Sequence, residues 1–458
     1  MKKNRSIAGI INLIGLLVLL VCGMLPAEAS ALDVKRHAAQ NGSIVLQVER
    51  HSLPVVMVTL LIKASPLDEP PGKAGVANLT SKLLTEGTAR RSAADISEEI
   101  EFIGASLDAS TTSDFTTLSL SVLKKDVEKG FDLFADILLN PVFKQEELVR
   151  KKELIKGGLR QKEEDPSFVA GKSFIKEVFG SHPYGRLVEG SIESVEGITR
   201  DDVVAFYQRH YLPGNAILSV VGDLTPQELD SLMKKYLSGW KGKPPTGSTA
   251  ASVAAARYPH YKGIQTVVIN KDVTQANIVF GNVAISRENP DYYTASVMNY
   301  ILGGGGFASR LMRVVRDEKG LTYGINSAFI ANKEPGQFEV GVQTKNESAG
   351  VVIEEILRQI RRIQTEPVTD RELADAKAYL TGSFPRRLET SRKIADFLTA
   401  VQFYRLGDDY IEKYPGYINS VTKEEVLRVA QKYLTPENAV LVVVGNKDLL
   451  RLPQLQAP

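Results

Sequence analysis

The strongest constraint on this chain is an internal repeat. Residues 199–222, TRDDVVAFYQRHYLPGNAILSVVG, align without a gap with residues 422–445, TKEEVLRVAQKYLTPENAVLVVVG, at an offset of 223. Each copy opens with Thr and acidic residues, turns at Pro, Gly or Asn, and closes with an apolar run ending in glycine. That pattern predicts a capped helix, a turn and a buried strand, twice over. The beginnings of the halves agree in type: 43–64 and 263–285 each hold two apolar, strand-like runs followed by a helix-length segment. In the first half, period-two alternation at 117–122 precedes helical patterns at 127–139, 146–162 and 168–178. The second half repeats that order at 336–344, 351–363, 370–381 and 391–406. The expected fold is α+β: two similar domains from an internal duplication, each a largely antiparallel sheet packed with helices. We place them at 33–240 and 258–452. The stretch 241–257, rich in Pro, Gly, Ser, Thr and Ala, reads as a linker.

The N-terminus carries Lys2, Lys3 and Arg5, an apolar run over 7–25, and Ala27-Glu28-Ala29. These are the parts of a cleaved signal peptide over 1–29, and imply a periplasmic or secreted protein with no membrane attachment after cleavage. A retained anchor is the alternative. Lipid attachment at Cys22 is disfavoured because bulky Val21 precedes it. Cys22 is the only cysteine, which excludes a disulfide framework and thiol metal ligands. Cleavage would remove three basic residues and Glu28 from 56 Lys plus Arg and 54 Asp plus Glu, leaving a formally neutral protein. Nothing in that balance points to nucleic acid. The five histidines, His37, His51, His182, His210 and His260, show no ligand spacing, and no G-x-S-x-G elbow is present.

Residues 75–88, GVANLTSKLLTEGT, resemble the helix that bears H-x-x-E-H in the inverzincin peptidases, the family of pitrilysin, insulinase and mitochondrial processing peptidase. In that family two histidines bind zinc and the glutamate activates water. Here the three positions hold Asn78, Ser81 and Lys82. The helix ending in Glu164-Asp165-Pro166 resembles the one that supplies a further glutamate ligand, and its expected place holds Gly157 and Gly158. The resemblance therefore implies a chain that binds no zinc and has no catalytic residue of its own. The His182-Pro-Tyr-Gly-Arg186 stretch is similar to one that is structural in the family.

The most specific resemblance is LGGGGFASRL at 302–311, followed by VRDEKGLTY at 315–323. In the family such a segment carries an arginine and a tyrosine, seven residues apart, that reach the substrate backbone. Arg316 and Tyr323 match in identity and spacing, with Arg316 expected near a helix end and Tyr323 at the start of the next strand. Without the resemblance, Arg316 reads as a helix C-terminal charge or a partner of Asp317 or Glu318, and Tyr323 as packing. Gly303, Gly304, Gly305 and Gly306 read either as a loop that admits a peptide backbone or as a helix end and turn. The resemblance implies a non-catalytic, substrate-binding subunit. Its partner would be a homologous subunit with the intact zinc motif, and its ligand an extended peptide added along a sheet edge. The alternative is a peptidase-like scaffold without a proteolytic role.

Overall fold

The computed structural model describes residues 32–39, 41–242 and 258–453. The expected signal peptide, Cys22 and most of the expected linker lie outside them. No helix among the described residues is long and apolar enough to cross a membrane.

The strands of the first half are β1 (Lys35–Ala38), β2 (Ile44–Glu49), β3 (Val55–Ile62), β4 (Ser106–Thr111), β5 (Thr116–Leu123) and β6 (Ala216–Gly222). They form one sheet in the order β1-β2-β6-β3-β5-β4. The second half contributes β7 (Gly263–Asn270), β8 (Gln275–Val283), β9 (Ile325–Ile330), β10 (Gln337–Lys345) and β11 (Asn438–Gly445), in the order β7-β11-β8-β10-β9. In each sheet the repeated strand is central: β6 runs parallel to β2 and antiparallel to β3, and β11 runs parallel to β7 and antiparallel to β8. The repeat in sequence is thus a repeat in topology.

The longer helices of the first half are α1 (Val76–Leu83), α2 (Ala93–Phe102), α3 (Val127–Leu139), α4 (Gln145–Lys162), α5 (Pro166–Phe179), α6 (Arg200–His210) and α7 (Pro226–Leu237). Those of the second half are α8 (Tyr292–Asn299), α9 (Ala349–Thr365), α10 (Asp370–Ser383), α11 (Ser391–Phe403), α12 (Tyr410–Asn419) and α13 (Lys423–Tyr433). The helices of the repeat start alike. Thr199 and Thr422 cap α6 and α13, each accepting a backbone N–H from an acidic residue three positions on, Asp202 or Glu425. Each cap satisfies N–H groups a helix start leaves open, worth about 1 kcal/mol.

Strands β6 and β11 are buried along almost their whole length, and the reason is an exchange of helices. On β11, Ala439, Leu441 and Val443 face the core of their own half, while Val440, Val442 and Val444 face a separate cluster with Val169, Phe174 and Val178 of α5. The second half returns α11 to the sheet of the first, where it packs on β6 and β3. There the Thr59 hydroxyl donates to Asp396 Oδ1 at 2.8 Å. Each sheet is covered on one face by its own helices and on the other by a helix of the opposite half. Central strands buried on both faces read as continuous apolar runs, as these do.

Candidate functional site

Gly75 opens α1 with φ +95°, and a Cβ there would lie 2.4 Å from the carbonyl oxygen of Glu189, so only glycine fits. The N–H groups of Gly75 and Ala77 donate to Glu69 Oε1 at 2.9 and 3.2 Å. The Glu69 side chain is nearly inaccessible, with Arg186 Nη2 3.7 Å from its other oxygen. Burial pushes its pKa up to about 7, against the pull of Arg186 and the two N–H groups. Sequence reasoning passed over Glu69, because its partners lie on other segments.

Along α1, Asn78 and Ser81 are buried and Lys82 is exposed. Ser81 Oγ donates to Asn78 O at 2.8 Å and accepts from the Thr111 hydroxyl at 3.1 Å, tying the helix to β4. Lys82 Nζ donates to Ala109 O, also on β4, at 3.2 Å. Helix α4 packs beside α1. It carries Gly157 and Gly158 in its interior, and a Cβ at either would meet no atom within 4 Å. The positions of the family's metal motif therefore hold an amide, a hydroxyl, an ammonium and two residues without side chains. Zinc takes thiolate, imidazole and carboxylate donors, and this set does not fit it. Among the described residues no group of three or more His, Cys, Asp or Glu is placed to hold a metal ion. His182 is a packing residue: its Nδ1 accepts the Tyr184 N–H at 3.2 Å, and its ring lies against Phe179, Tyr184 and Tyr258. Burial, with Arg186 nearby, lowers its pKa to about 4, so it is neutral.

The glycine run resolves as a helix end and turn. Helix α8 continues into a π-helical turn, Tyr300–Gly304, that brings Gly303 onto β9. A Cβ on Gly303 would lie 2.5 Å from Ser327 Oγ and 2.7 Å from Ser327 N. Gly303 is buried, so its part is packing. Gly304 and Gly306 are exposed and Gly305 is half-buried. Gly306, at φ +57°, turns the chain into a short 3-10 segment carrying Phe307, which is 69% exposed.

Arg316 occupies a second π-helical turn, Met312–Glu318, a distortion found often at functional sites. Its half-buried guanidinium lies over the Phe307 ring, 4.6 Å from the centroid, with Nη1 3.7 Å from Asp317 Oδ1. Gly320, at φ +64°, reverses the chain after that turn. Tyr323 precedes β9 by two residues instead of opening it, and is 91% exposed. The structure thus joins Arg316 to Phe307, a residue the sequence reading left out although it sits inside the glycine motif. The packing reading of Tyr323 does not hold.

A two-domain α+β fold whose metal helix has lost its ligands defines a peptidase-like protein. Residues 44–190 match the sequence model described as insulinase, peptidase family M16, and residues 197–380 the model described as peptidase M16 inactive domain. The chain belongs to the M16 insulinase family. It is 27% identical over 418 residues to an uncharacterized zinc protease of Mycobacterium leprae, covering 89% of this chain and 92% of that one. The uncharacterized zinc protease YmxG of Bacillus subtilis is 22% identical over 416 residues, covering 91% of this chain and 99% of that one. Among solved structures, a peptidase M16 inactive domain from Pseudomonas fluorescens superposes with a TM-score of 0.83 at 28% identity, covering 92% of this chain and all of that one. A Helicobacter pylori protease shares the fold, with a TM-score of 0.82 at 21% identity, over 90% and 99% of the two chains.

Proposed function

We propose that this chain is the non-catalytic, substrate-binding subunit of a heterodimeric, periplasmic zinc metallopeptidase. The carrying observation is an asymmetry. Every position of the metal motif has lost its ligand, whereas the opposite half keeps a half-buried arginine, supported by an aromatic ring, and an exposed tyrosine on the following connection. A guanidinium and a phenol donate to peptide carbonyl oxygens, including one that gains negative charge during hydrolysis. The zinc and its activated water belong, on this reading, to a homologous partner subunit. This chain holds an extended peptide against a sheet edge.

A scaffold role without proteolysis is the second reading, favoured by the stripped α1. The test is chelator-sensitive peptide hydrolysis by the tagged chain isolated gently from its native cells, compared with the same chain purified alone. Activity only in the native preparation, with a zinc-motif homologue co-purifying, is the expected result. Activity in neither preparation, with other proteins co-purifying, would favour the scaffold. Activity in both would overturn the zinc-less reading.

A further inference from the structure

Strand β4 is the outermost strand of its sheet, and its hairpin with β5 fixes which backbone groups face outward. The Thr112 N–H donates to Phe115 O at 2.8 Å, so those two residues form a hydrogen-bonded pair next to the turn. Counting back along the register, Thr111 faces Thr116, Ser110 faces Thr117, Ala109 faces Leu118, Asp108 faces Ser119 and Leu107 faces Leu120. Hydrogen-bonded and non-bonded pairs alternate in an antiparallel ladder. Ser110 and Asp108 therefore bond to β5, while the N–H and C=O groups of Leu107, Ala109 and Thr111 point away from the sheet. These are the groups an added strand would use.

One of those outward carbonyls is engaged. Lys82 Nζ donates to Ala109 O at 3.2 Å, from an exposed side chain on α1. An ammonium has three donors, and this contact uses one. Glu189, an acid whose ionisation Lys82 influences, is itself paired with Lys162 Nζ at 2.8 Å. A strand running the full length of the edge has to displace the ammonium from Ala109 O. A strand that ends there keeps the contact and sets its own carboxylate against the remaining donors.

We propose that Lys82 is a specificity residue of a strand-addition site on β4, reading the C-terminal carboxylate of an extended peptide. The inference rests on the peptide-binding reading above and deepens it. The position where the family has a zinc ligand becomes, in this chain, a cationic stop that selects peptide ends.

The test uses the full chain and a fluorescein-labelled eight-residue peptide of alternating Thr and Val, as free acid or C-terminal amide, followed by anisotropy. Amidation is expected to weaken binding about tenfold, the scale of one charge-assisted hydrogen bond. Lys82→Gln should abolish the difference and Lys82→Arg should keep it; Lys82 is exposed, so neither variant threatens folding. Equal binding of both peptides to the unaltered chain overturns the proposal, as does a preference that survives Lys82→Gln. An amidated peptide ending in Glu that binds as tightly as the free acid also overturns it, since Lys82 would then read acidic side chains. Binding without discrimination removes only the role of Lys82; no binding of any peptide removes the strand-addition site itself.

Discussion

The hydroxyl of Tyr404, just past the end of α11, donates to Asp114 Oδ2 at 2.6 Å, joining two residues 290 positions apart in the chain. Asp114 sits in the turn between β4 and β5 and is buried. The same carboxylate accepts from the Tyr184 hydroxyl and, at 2.9 Å, from the Lys333 N–H in the turn between β9 and β10. Burial and the nearby Asp114 raise the pKa of both phenols well above the ordinary tyrosine value, so both remain donors. One carboxylate thus pins the exchanged helix α11 and the β9–β10 turn to the first half. Asp114→Ala leaves three donors without an acceptor, the buried Tyr184 hydroxyl among them, and should cost about 2–4 kcal/mol in urea unfolding. Tyr404→Phe should cost about 1 kcal/mol. An Asp114→Ala midpoint within error of the parent would show that the tie does not hold the halves together.

Gly157 and Gly158 make the opposite case. Both lie inside α4, and a Cβ added to either meets nothing. Glycine in a helix interior is less favourable than alanine by about 0.8–1.0 kcal/mol. Gly157→Ala and Gly158→Ala should each stabilise the protein by roughly 0.5–1 kcal/mol and raise the thermal midpoint. A loss of stability in either would mean that α4 needs its flexibility there.

The raised pKa of Glu69 makes part of the stability depend on pH. In the unfolded chain this carboxyl titrates near 4.5, and in the folded protein near 7. An acid whose folded value is the higher contributes most below its unfolded value, and that contribution is lost as pH rises through the folded one. Relative to Glu69→Gln, the parent chain should therefore lose stability between about pH 4.5 and 7. Glu69→Gln keeps an acceptor for the Gly75 and Ala77 N–H groups. Parallel stability curves for the two proteins across that range would show that Glu69 stays ionised when folded.

Much of this architecture was legible in the chain, for identifiable reasons. The Thr-acid caps and the glycine-closed apolar runs encode local geometry, so 199–222 and 422–445 announced both α6–β6 and α13–β11. The expected helix 127–139 matches α3 end to end. What escaped was nonlocal. Strand β4, SLDAST, is half exposed and mostly polar, so its pattern does not distinguish an edge strand from a loop. Helical periodicity showed that α5 and α11 have apolar faces, but not that each face belongs on the other half's sheet. At the site, the motif frame located Asn78, Ser81, Lys82, Arg316 and Tyr323. The contacts of Lys82 with Ala109, Arg316 with Phe307, and Glu69 with α1 depend on tertiary register that no local pattern records.

Arg316 and Tyr323 should matter to turnover and not to assembly. Neither contributes to a core, and Tyr323 is almost wholly exposed. In the proposed heterodimer, Arg316→Ala should lower kcat/KM by roughly a hundredfold if it stabilises developing charge, and Tyr323→Phe by about tenfold. Size-exclusion elution of the complex should not change. Phe307→Leu, which removes the ring under the guanidinium, should give a smaller loss than Arg316→Ala. Unchanged turnover in the first two variants would remove the functional reading of the pair.

Restoring the motif on α1 should not restore a zinc site. Asn78→His, Ser81→Glu and Lys82→His would supply two imidazoles one helical turn apart and a carboxylate between them. A tetrahedral site with an open position needs a third protein ligand, and the neighbouring stretch of α4 offers only Gly157 and Gly158. The buried positions also resist the change. Ser81 is fully buried with its hydroxyl bonded to Asn78 O and Thr111, so a glutamate there must displace β4 or leave a buried carboxylate unpaired. The triple variant should bind zinc weakly, show no hydrolysis alone, and unfold more readily than the parent. Adding Gly158→Glu should raise zinc affinity, measured by calorimetry, because the space beside that position is open. Tight zinc binding by the triple variant alone would place the missing ligand somewhere other than α4.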